Sequence, residues 1–476
     1  MKKIFLLGAV TLFALASCDL TEEPVTALQT DIALATYDNL NEATSVPYVN
    51  LRGEGWYGSY TSLMLDVMCG NAVAGDPIYT GRGSMFNNWL FTADGGWSTY
   101  GSAYTAIYQC NNVIFKIRNE RDTYLAESGV TDQMLDNLMG ECLFMRALSY
   151  FDLVRFYSKP YNAATAGTDL GVPIISEDPV VSAVALPARE SVQKVYDYIV
   201  TDLTTALDCM DENYIRANVL DTKATCTYHV IEALLARVYL YMHNYEKAEE
   251  MATKVITCGD YTIANASQFV TTWTEDTWSA NREIIFGVFS VQSEGQISNG
   301  NGMLTDPVNG YGDVRVSEDW SSILDASDIR LTMCETSPNY AGYIWPAKYR
   351  KASGIAYSNI PILRISEMYL IRAEARYYLN DFDGALSDLT TVTSNRNAPA
   401  YSAATLDNIF NENRKEFAFE GHVYHDFKRF GRAVERTDII PGTSNQNVPA
   451  DSYLWLMPMA TSERDVNPNL VQNPGY

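Results

Sequence analysis

Two stretches of this chain gather residues able to do chemistry. The first is NENRKEFAFEGHVYHDFKRFGR, Asn411 to Arg432, which holds two of the four histidines. On a helix His422 and His425 share a face, and Asp426 stands four beyond His422. That is part of a metal or acid–base geometry. It lacks the H-E-x-x-H spacing that places two ligands and a general base together. Glu416 stands six residues before His422, and Glu420 falls off the shared face. Only His229 and His243 remain to complete a ligand set. A packing role accounts for more of the stretch. Phe417, Glu420, Tyr424, Phe427 and Lys428 recur every three or four residues, and Phe419, Val423 and Phe430 extend the aromatic and apolar contacts. Arg414, Glu416, Glu420, Asp426 and Arg429 then form a partly buried network, because interior charges need partners. We read the stretch as structural, with no catalytic residue, no metal and no cofactor.

The second stretch is FNNWLFTADGGWSTYGSAY, Phe86 to Tyr104. Sugars present apolar C–H faces that suit aromatic rings, and hydroxyls that suit planar amides and carboxylates. Trp97, Trp89 and Tyr100 are the candidate platforms; Asn87, Asn88 and Asp94 are the candidate polar partners. Gly95 and Gly96 let the loop turn. Trp97 leads this set, with core filling as its competing use. Trp273, Trp278, Trp320 and Trp345 are expected in core or loop packing, and Trp56 fits either use.

These residues must be held by helices. Tyr104, Ile107, Tyr108, Val113, Ile114 and Ile117 repeat at three to four residues and predict a helix from about Trp97 to Arg118. Leu138, Cys142, Met145, Leu148, Phe151 and Val154 build the stripe of a longer one, about Met134 to Phe156. Another runs from about Ser191 to Cys209. Residues 224–256 read as two helices joined by a tight turn near His243 and Asn244. The pattern returns near residue 370: Ala236, Met242, Tyr245 and Ala248 match Ala373, Leu379, Phe382 and Ala385 at one constant offset. Small alanines allow close helix approach, and the aromatic plugs the turn. This resembles tetratricopeptide helix pairs, spaced too widely in sequence for a regular solenoid. Between them lies glycine-bearing loop, including SEGQISNGNG and TDPVNGYGD, with a few short strands such as one at 283–289. Such loops on a helical scaffold often bind.

The chain has 476 residues, 47% of them apolar, enough for two or three packed units. Its formal charge of −24 repels nucleic acid and anionic lipid, so nucleic acid is not an expected partner. Apart from Cys18, seven cysteines show no C-x-x-C spacing. They read as small buried hydrophobes, with room for one disulfide and at least one left over. At the N-terminus, MKK precedes an apolar run too short to remain as a membrane span. The run ends in Leu15-Ala16-Ser17-Cys18, which resembles the bacterial lipobox, with Cys18 as the acylated first residue. No second apolar segment is long enough to cross a bilayer, so the expected arrangement is an acyl anchor on a folded body. Asp19, Glu22 and Glu23 resemble an acidic signal that sends lipoproteins to the outer surface.

With these motifs in order, the chain resembles the SusD/RagB family of surface glycan-binding lipoproteins. Arg414, Glu416, Glu420, Gly421, Tyr424, Asp426, Phe427 and Arg429 stand at the places of that family's hallmark helix. Val423 replaces its usual arginine, and His425 an aromatic. ECLFMRALSYFDLVRFYSKPY followed by DLGVPII is similar to its long early helix and following loop. Arg364, Glu367, Tyr369, Leu370, Ala373 and Glu374 are similar to the segment before its last repeat. Pro458, Glu463, Asn467, Pro468, Gln472, Asn473, Pro474, Gly475 and Tyr476 match its closing motif. The resemblance implies a mainly α, SusD-like fold of irregular tetratricopeptide-type helix pairs, with a loop-rich subdomain and few short strands. The expected organisation is a signal peptide over 1–17, an acylated tether over 18–30, a helical scaffold over 31–256, a loop-rich insert over 257–350 and a repeat with the signature region over 351–476. It further implies capture of oligosaccharide or polysaccharide for a SusC-like TonB-dependent outer-membrane transporter, without covalent chemistry, at the cell surface. The family's sugar site uses aromatics just before the helix that here carries Tyr104, Ile107 and Asn111. The competing readings are a helical-repeat scaffold or adhesin, whose complex would survive excess sugar, and a glycoside hydrolase, which needs two carboxyls about 5–10 Å apart in a cleft.

Overall fold

The computed structural model describes residues 30–95, 97–182 and 184–476. Cys18 and Gly96 therefore lie outside the described residues. Helices dominate. Asp132–Tyr157 is the central one, buried on almost every side from Leu138 to Tyr157. It packs between Thr99–Leu125 and Val192–Cys209. Thr131 caps its start by accepting from the Met134 N–H, and Ser191 does the same for Lys194. Most of the polar groups that it carries into the interior are met, Arg155 Nε being an exception among the described residues. Glu141 accepts from Arg216 at 2.8 Å and from the Tyr48 hydroxyl at 2.8 Å. Arg146 forks onto Asp202 at 2.8 and 2.7 Å, and Asp152 accepts from Trp56 Nε1 at 2.7 Å. Trp56 is thus a core residue.

The two matching hairpins are Tyr228–Tyr241 with Tyr245–Thr257, and Ile365–Tyr378 with Phe382–Asn395. Their turns are alike. His243 and Asn380 both adopt a left-handed conformation, with φ of 58° and 64°. Asn244 and Asp381 then cap the second helices. Distant in sequence, the hairpins pack on each other. Tyr245 stacks on Tyr378 with centroids 4.2 Å apart, and Arg376 reaches Glu249 at 2.8 Å. Ala236, Ala248, Ala373 and Ala385 are fully buried where the helices approach.

Strands among the described residues are short and pair in antiparallel twos. Ile284–Val288, the strand expected at 283–289, pairs with Ile360–Arg364 and so ties the loop-rich segment to the second hairpin. Ala72–Ala74 pairs with Val314–Val316. One apolar core runs from Leu34 to Leu470, with a small satellite at Phe269, Trp273, Met333 and Ala347. Trp273, Trp278, Trp320 and Trp345 are all buried, as expected. The seven cysteines from Cys69 to Cys334 are all free.

The stretch around the histidines is two helices, Leu406–Glu416 and His422–Arg429, where the sequence reading has one. The break is at Phe419 and Gly421, both at positive φ. A Cβ at Gly421 would lie 1.8 Å from the Thr61 carbonyl oxygen. The freed N–H groups of Phe419 and Gly421 donate to the buried Asp66 carboxylate at 2.7 and 3.1 Å. The expected charges are buried and mostly paired, but of the pairs within the stretch itself only Arg429–Asp426 forms among the described residues; the other partners come from distant segments. Glu416 accepts from Arg330, Arg364 and Arg396, and these guanidinium groups hold its carboxyl well below the usual range despite burial. Glu420 takes Arg364 and Lys348, and Arg429 takes Asp426 and Glu374. Arg414 is the exception: it donates to the Asn71 side chain at 2.7 Å and has no ion pair among the described residues. His422 stacks on Phe417 at 4.4 Å, and His425 meets Phe156 at 4.8 Å. Burial holds both imidazoles well below their usual pKa, the behaviour of packed neutral rings.

Candidate functional site

The loop read as a sugar platform mostly faces inward. Trp97 is 2% exposed and Trp89 is fully buried, so neither ring offers a face to solvent. Trp97 lies among Tyr60, Phe86, Phe91 and Phe156, with centroids 5.2 to 5.8 Å away. Trp89 packs on Trp455 at 5.0 Å, and its Nε1 donates to the Met68 carbonyl at 2.9 Å. Burying two indoles is worth more to the fold than an exposed platform in a loop this rich in apolar neighbours. Asn87 is also buried; its amide closes a reciprocal pair with the Ala74 backbone. Asn88 accepts from the Ser444 N–H at 2.6 Å and donates to Ser84 at 2.8 Å. Asp94 is exposed and accepts from the Thr461 hydroxyl at 2.8 Å. Tyr100 is half-buried between Tyr104 and Tyr157, and burial raises its pKa. These six residues do not converge on one surface. The two tryptophans and Asn87 are corrected to core.

The same loop nevertheless backs a cleft of about 490 Å³. Its lining includes Glu54, Tyr60, Arg82, Ser84, Leu90 and Asn299. Glu54 and Tyr60 come from wide helical turns after Leu51, and Ser84 and Leu90 from the short helix Ser84–Asn88 and its end. Asn299 comes from the SEGQISNGNG loop. The polar side chains are joined. Arg82 Nε donates to Asn299 Oδ1 at 3.0 Å, and Asn299 Nδ2 donates to both Glu54 oxygens at 3.0 Å. Arg82 also lies over the Tyr311 ring at 3.8 Å and donates to Thr80 Oγ1 at 2.9 Å. Behind it Asp313 accepts from the Thr80 N–H at 3.2 Å; burial raises its pKa.

This wall offers guanidinium, amide and carboxylate edges in a fixed order. Beside it stands Tyr60, half-buried, with Phe86 at 4.9 Å and Trp97 at 5.5 Å supporting its ring from behind. Apolar ring and planar hydrogen-bonding edges are the pair that a sugar needs. Trp97 therefore belongs to the support of this cleft and not to its surface. Sequence reasoning missed Glu54, Tyr60 and Arg82. Arg82 carried one usable signal, its place between two glycines. Asn299, Tyr311 and Asp313 lie in the two polar loops that the sequence marks out. A second recess of about 310 Å³, near Tyr48, Leu220 and Phe289, has a larger apolar wall, and Arg52, Arg216, Asp221 and Glu294 also line it.

Comparison with known proteins places the chain among relatives. Residues 325–476 match the profile described as the SusD family, and residues 80–240 match one described as starch-binding associating with outer membrane. A SusD-like protein from Formosa agariphila is 22% identical over 396 residues, covering 71% of this chain and 74% of that protein. A SusD superfamily structure from Bacteroides thetaiotaomicron superposes with a TM-score of 0.81 at 28% identity, covering 92% of this chain and 100% of that one. Another, from Bacteroides vulgatus, gives 0.80 at 26% identity, covering 93% and 99%.

Proposed function

This chain belongs to the SusD/RagB family, and from that premise we propose that it captures glycan at the bacterial surface and passes it to a SusC-like TonB-dependent transporter. Proteins of this family bind carbohydrate and do no chemistry on it. The observation that carries the reading for this chain is the cleft, where the Arg82–Asn299–Glu54 edge stands beside the Tyr60 ring. A sugar ring stacks on Tyr60, and its hydroxyls exchange hydrogen bonds with the edge. Glycoside hydrolysis uses two carboxyls flanking the scissile bond; Glu54 is the one carboxylate among the described lining residues. Membrane attachment is through an acyl group on Cys18, and no helix among the described residues is long and apolar enough to cross a membrane.

The test is a glycan-binding screen of the mature protein, followed by titration of Tyr60→Ala and Arg82→Ala with the best ligand. Each is expected to bind about fivefold to 150-fold more weakly, the equivalent of roughly 1–3 kcal/mol for a contact at the centre of an interface. Wild-type affinity in both variants would remove this cleft from the binding reaction. Delivery is tested separately: tagged protein from mild-detergent extracts of glycan-grown cells should bring down a large TonB-dependent β-barrel. Recovery as a free chain even after crosslinking would overturn that step.

A further inference from the structure

The open end of the first helical hairpin, opposite the His243–Asn244 turn, gathers three ligand types. His229 stands in the first turn of Tyr228–Tyr241. Cys258 closes Tyr245–Thr257, and Asp260 follows it in the chain. A ring nitrogen of His229, the Cys258 sulfur and a carboxylate oxygen of Asp260 lie within 4.8 Å of one another. No sequence motif announces them, because helix pairing and not local spacing brings His229 to the other two.

Two further features point to a ligand. His229 Nδ1 is bound to Glu232 Oε2 at 2.8 Å, and Glu232 is buried. A carboxylate there keeps the proton on Nδ1 and leaves Nε2 as the free donor atom, as the carboxylate partners of metal-binding histidines do. Nε2 faces Asp260 at 3.9 Å. Cys258 and Asp260 are brought to one side by the residue between them: Gly259 has a φ of 95°, which L residues rarely adopt. The Asp260 N–H donates to the Cys258 sulfur at 3.5 Å, and Arg282 holds the Gly259 and Asp260 carbonyls.

We propose that His229 Nε2, the Cys258 thiolate and the Asp260 carboxylate bind a thiophilic divalent transition metal, zinc being the representative ion, with the fourth position open to water. Imidazole and thiolate donors suit zinc and its neighbours and not calcium or magnesium. Zinc bonds of about 2.0–2.3 Å require the three atoms to draw in by roughly 1 Å. Asp260 is exposed and follows a glycine, so it is free to make that movement. Thiolate and carboxylate neutralise the ion, and the Cys258 proton leaves to solvent on binding. The neighbouring cations are already engaged. Lys254 lies 3.3 Å from Glu250 and 4.0 Å from Glu232, and Lys223 rests over the Tyr261 ring at 4.5 Å. The site is independent of the glycan cleft.

The experiment is cobalt titration of untagged, phosphine-reduced protein, read by absorption, with zinc as competitor. One cobalt per chain is expected, with thiolate-to-cobalt charge transfer and the strong visible bands of a four-coordinate ion; zinc should bleach both. Cys258→Ser should abolish the charge-transfer band. Asp260→Asn, at an exposed position where folding is not at risk, and Glu232→Gln should each weaken binding about tenfold or more. Cobalt bound without a thiolate band, or equal affinity in wild type, Cys258→Ser and Asp260→Asn, would overturn the site.

Discussion

Replacing Trp97 with alanine removes a fully enclosed indole from the aromatic layer beneath the cleft. Large-to-small substitution of a buried tryptophan costs about 3–5 kcal/mol, part transfer and part residual cavity. The four rings around it come from its own stretch, from Tyr60 and from the central helix, so the space will not close fully. Unfolding entropy of about 2.1 cal/mol/K per residue gives the whole chain on the order of 1 kcal/mol/K. The midpoint should therefore fall by roughly 3–5 °C if the chain unfolds as one unit. Trp97→Phe should cost much less. The indole Nε1 is buried without a hydrogen-bond partner among the described residues, and removing such a group recovers about 1–3 kcal/mol that offsets the lost volume. Glycan affinity should change little in Trp97→Phe and fall in Trp97→Ala only through loss of support under Tyr60. The assay pairs thermal unfolding with glycan titration below both midpoints. An unchanged midpoint in Trp97→Ala together with binding weakened more than tenfold would mean the ring is exposed, and would refute the reasoning.

Gly421→Ala should be among the most damaging single substitutions, because its Cβ would meet the Thr61 carbonyl at 1.8 Å and its φ is 81°; loss of soluble, cooperatively unfolding protein is the expected readout. Glu416→Gln leaves three buried guanidinium groups short of a charge and should cost about 3–5 kcal/mol, seen as a lowered denaturant midpoint with unchanged slope. Burial raises the Asp66 carboxyl from 3.8 to about 7 in the fold. Its folded pKa lies above its unfolded one, so its contribution is fully present below about 3.8 and is lost as pH rises through about 7. Asp66→Asn should therefore flatten the decline in stability from pH 4 to 7, and a wild-type-like slope in that variant would count against the assignment.

The helices were readable because their apolar residues recur at helical spacing. Four of the long ones fall within a few residues of their expected ends, while Thr99–Leu125 runs seven residues past the expected Arg118, and the alanine-and-aromatic signature marked both hairpins. The break at Gly421 was not readable. The stretch from Asn411 to Arg432 keeps helical periodicity on both sides, and only the Thr61 carbonyl and the Asp66 carboxylate, more than 350 residues away in sequence, show why it must bend. The mutual packing of the hairpins was also hidden, since nothing local in Tyr245 names Tyr378 as its partner.

The candidate site divides in the same way. Composition marked the Phe86–Tyr104 stretch as rich in rings and amides, and glycine marked the loops that bear Asn299 and Tyr311. Which ring faces solvent is a different quantity. Trp97, Trp89 and Tyr60 are all apolar bodies with a polar tip, so residue type leaves inside and outside equally open. The choice depends on how many neighbours each ring finds once distant segments have packed. Trp97 finds Phe156 from the central helix, and Trp89 finds Trp455 near the C-terminus, while Tyr60 keeps one side open to the cleft. The sequence by itself determined the helical scaffold, because backbone periodicity is a local property. Only the tertiary structure decided the binding surface, because burial is set by contacts between segments that the chain order keeps far apart.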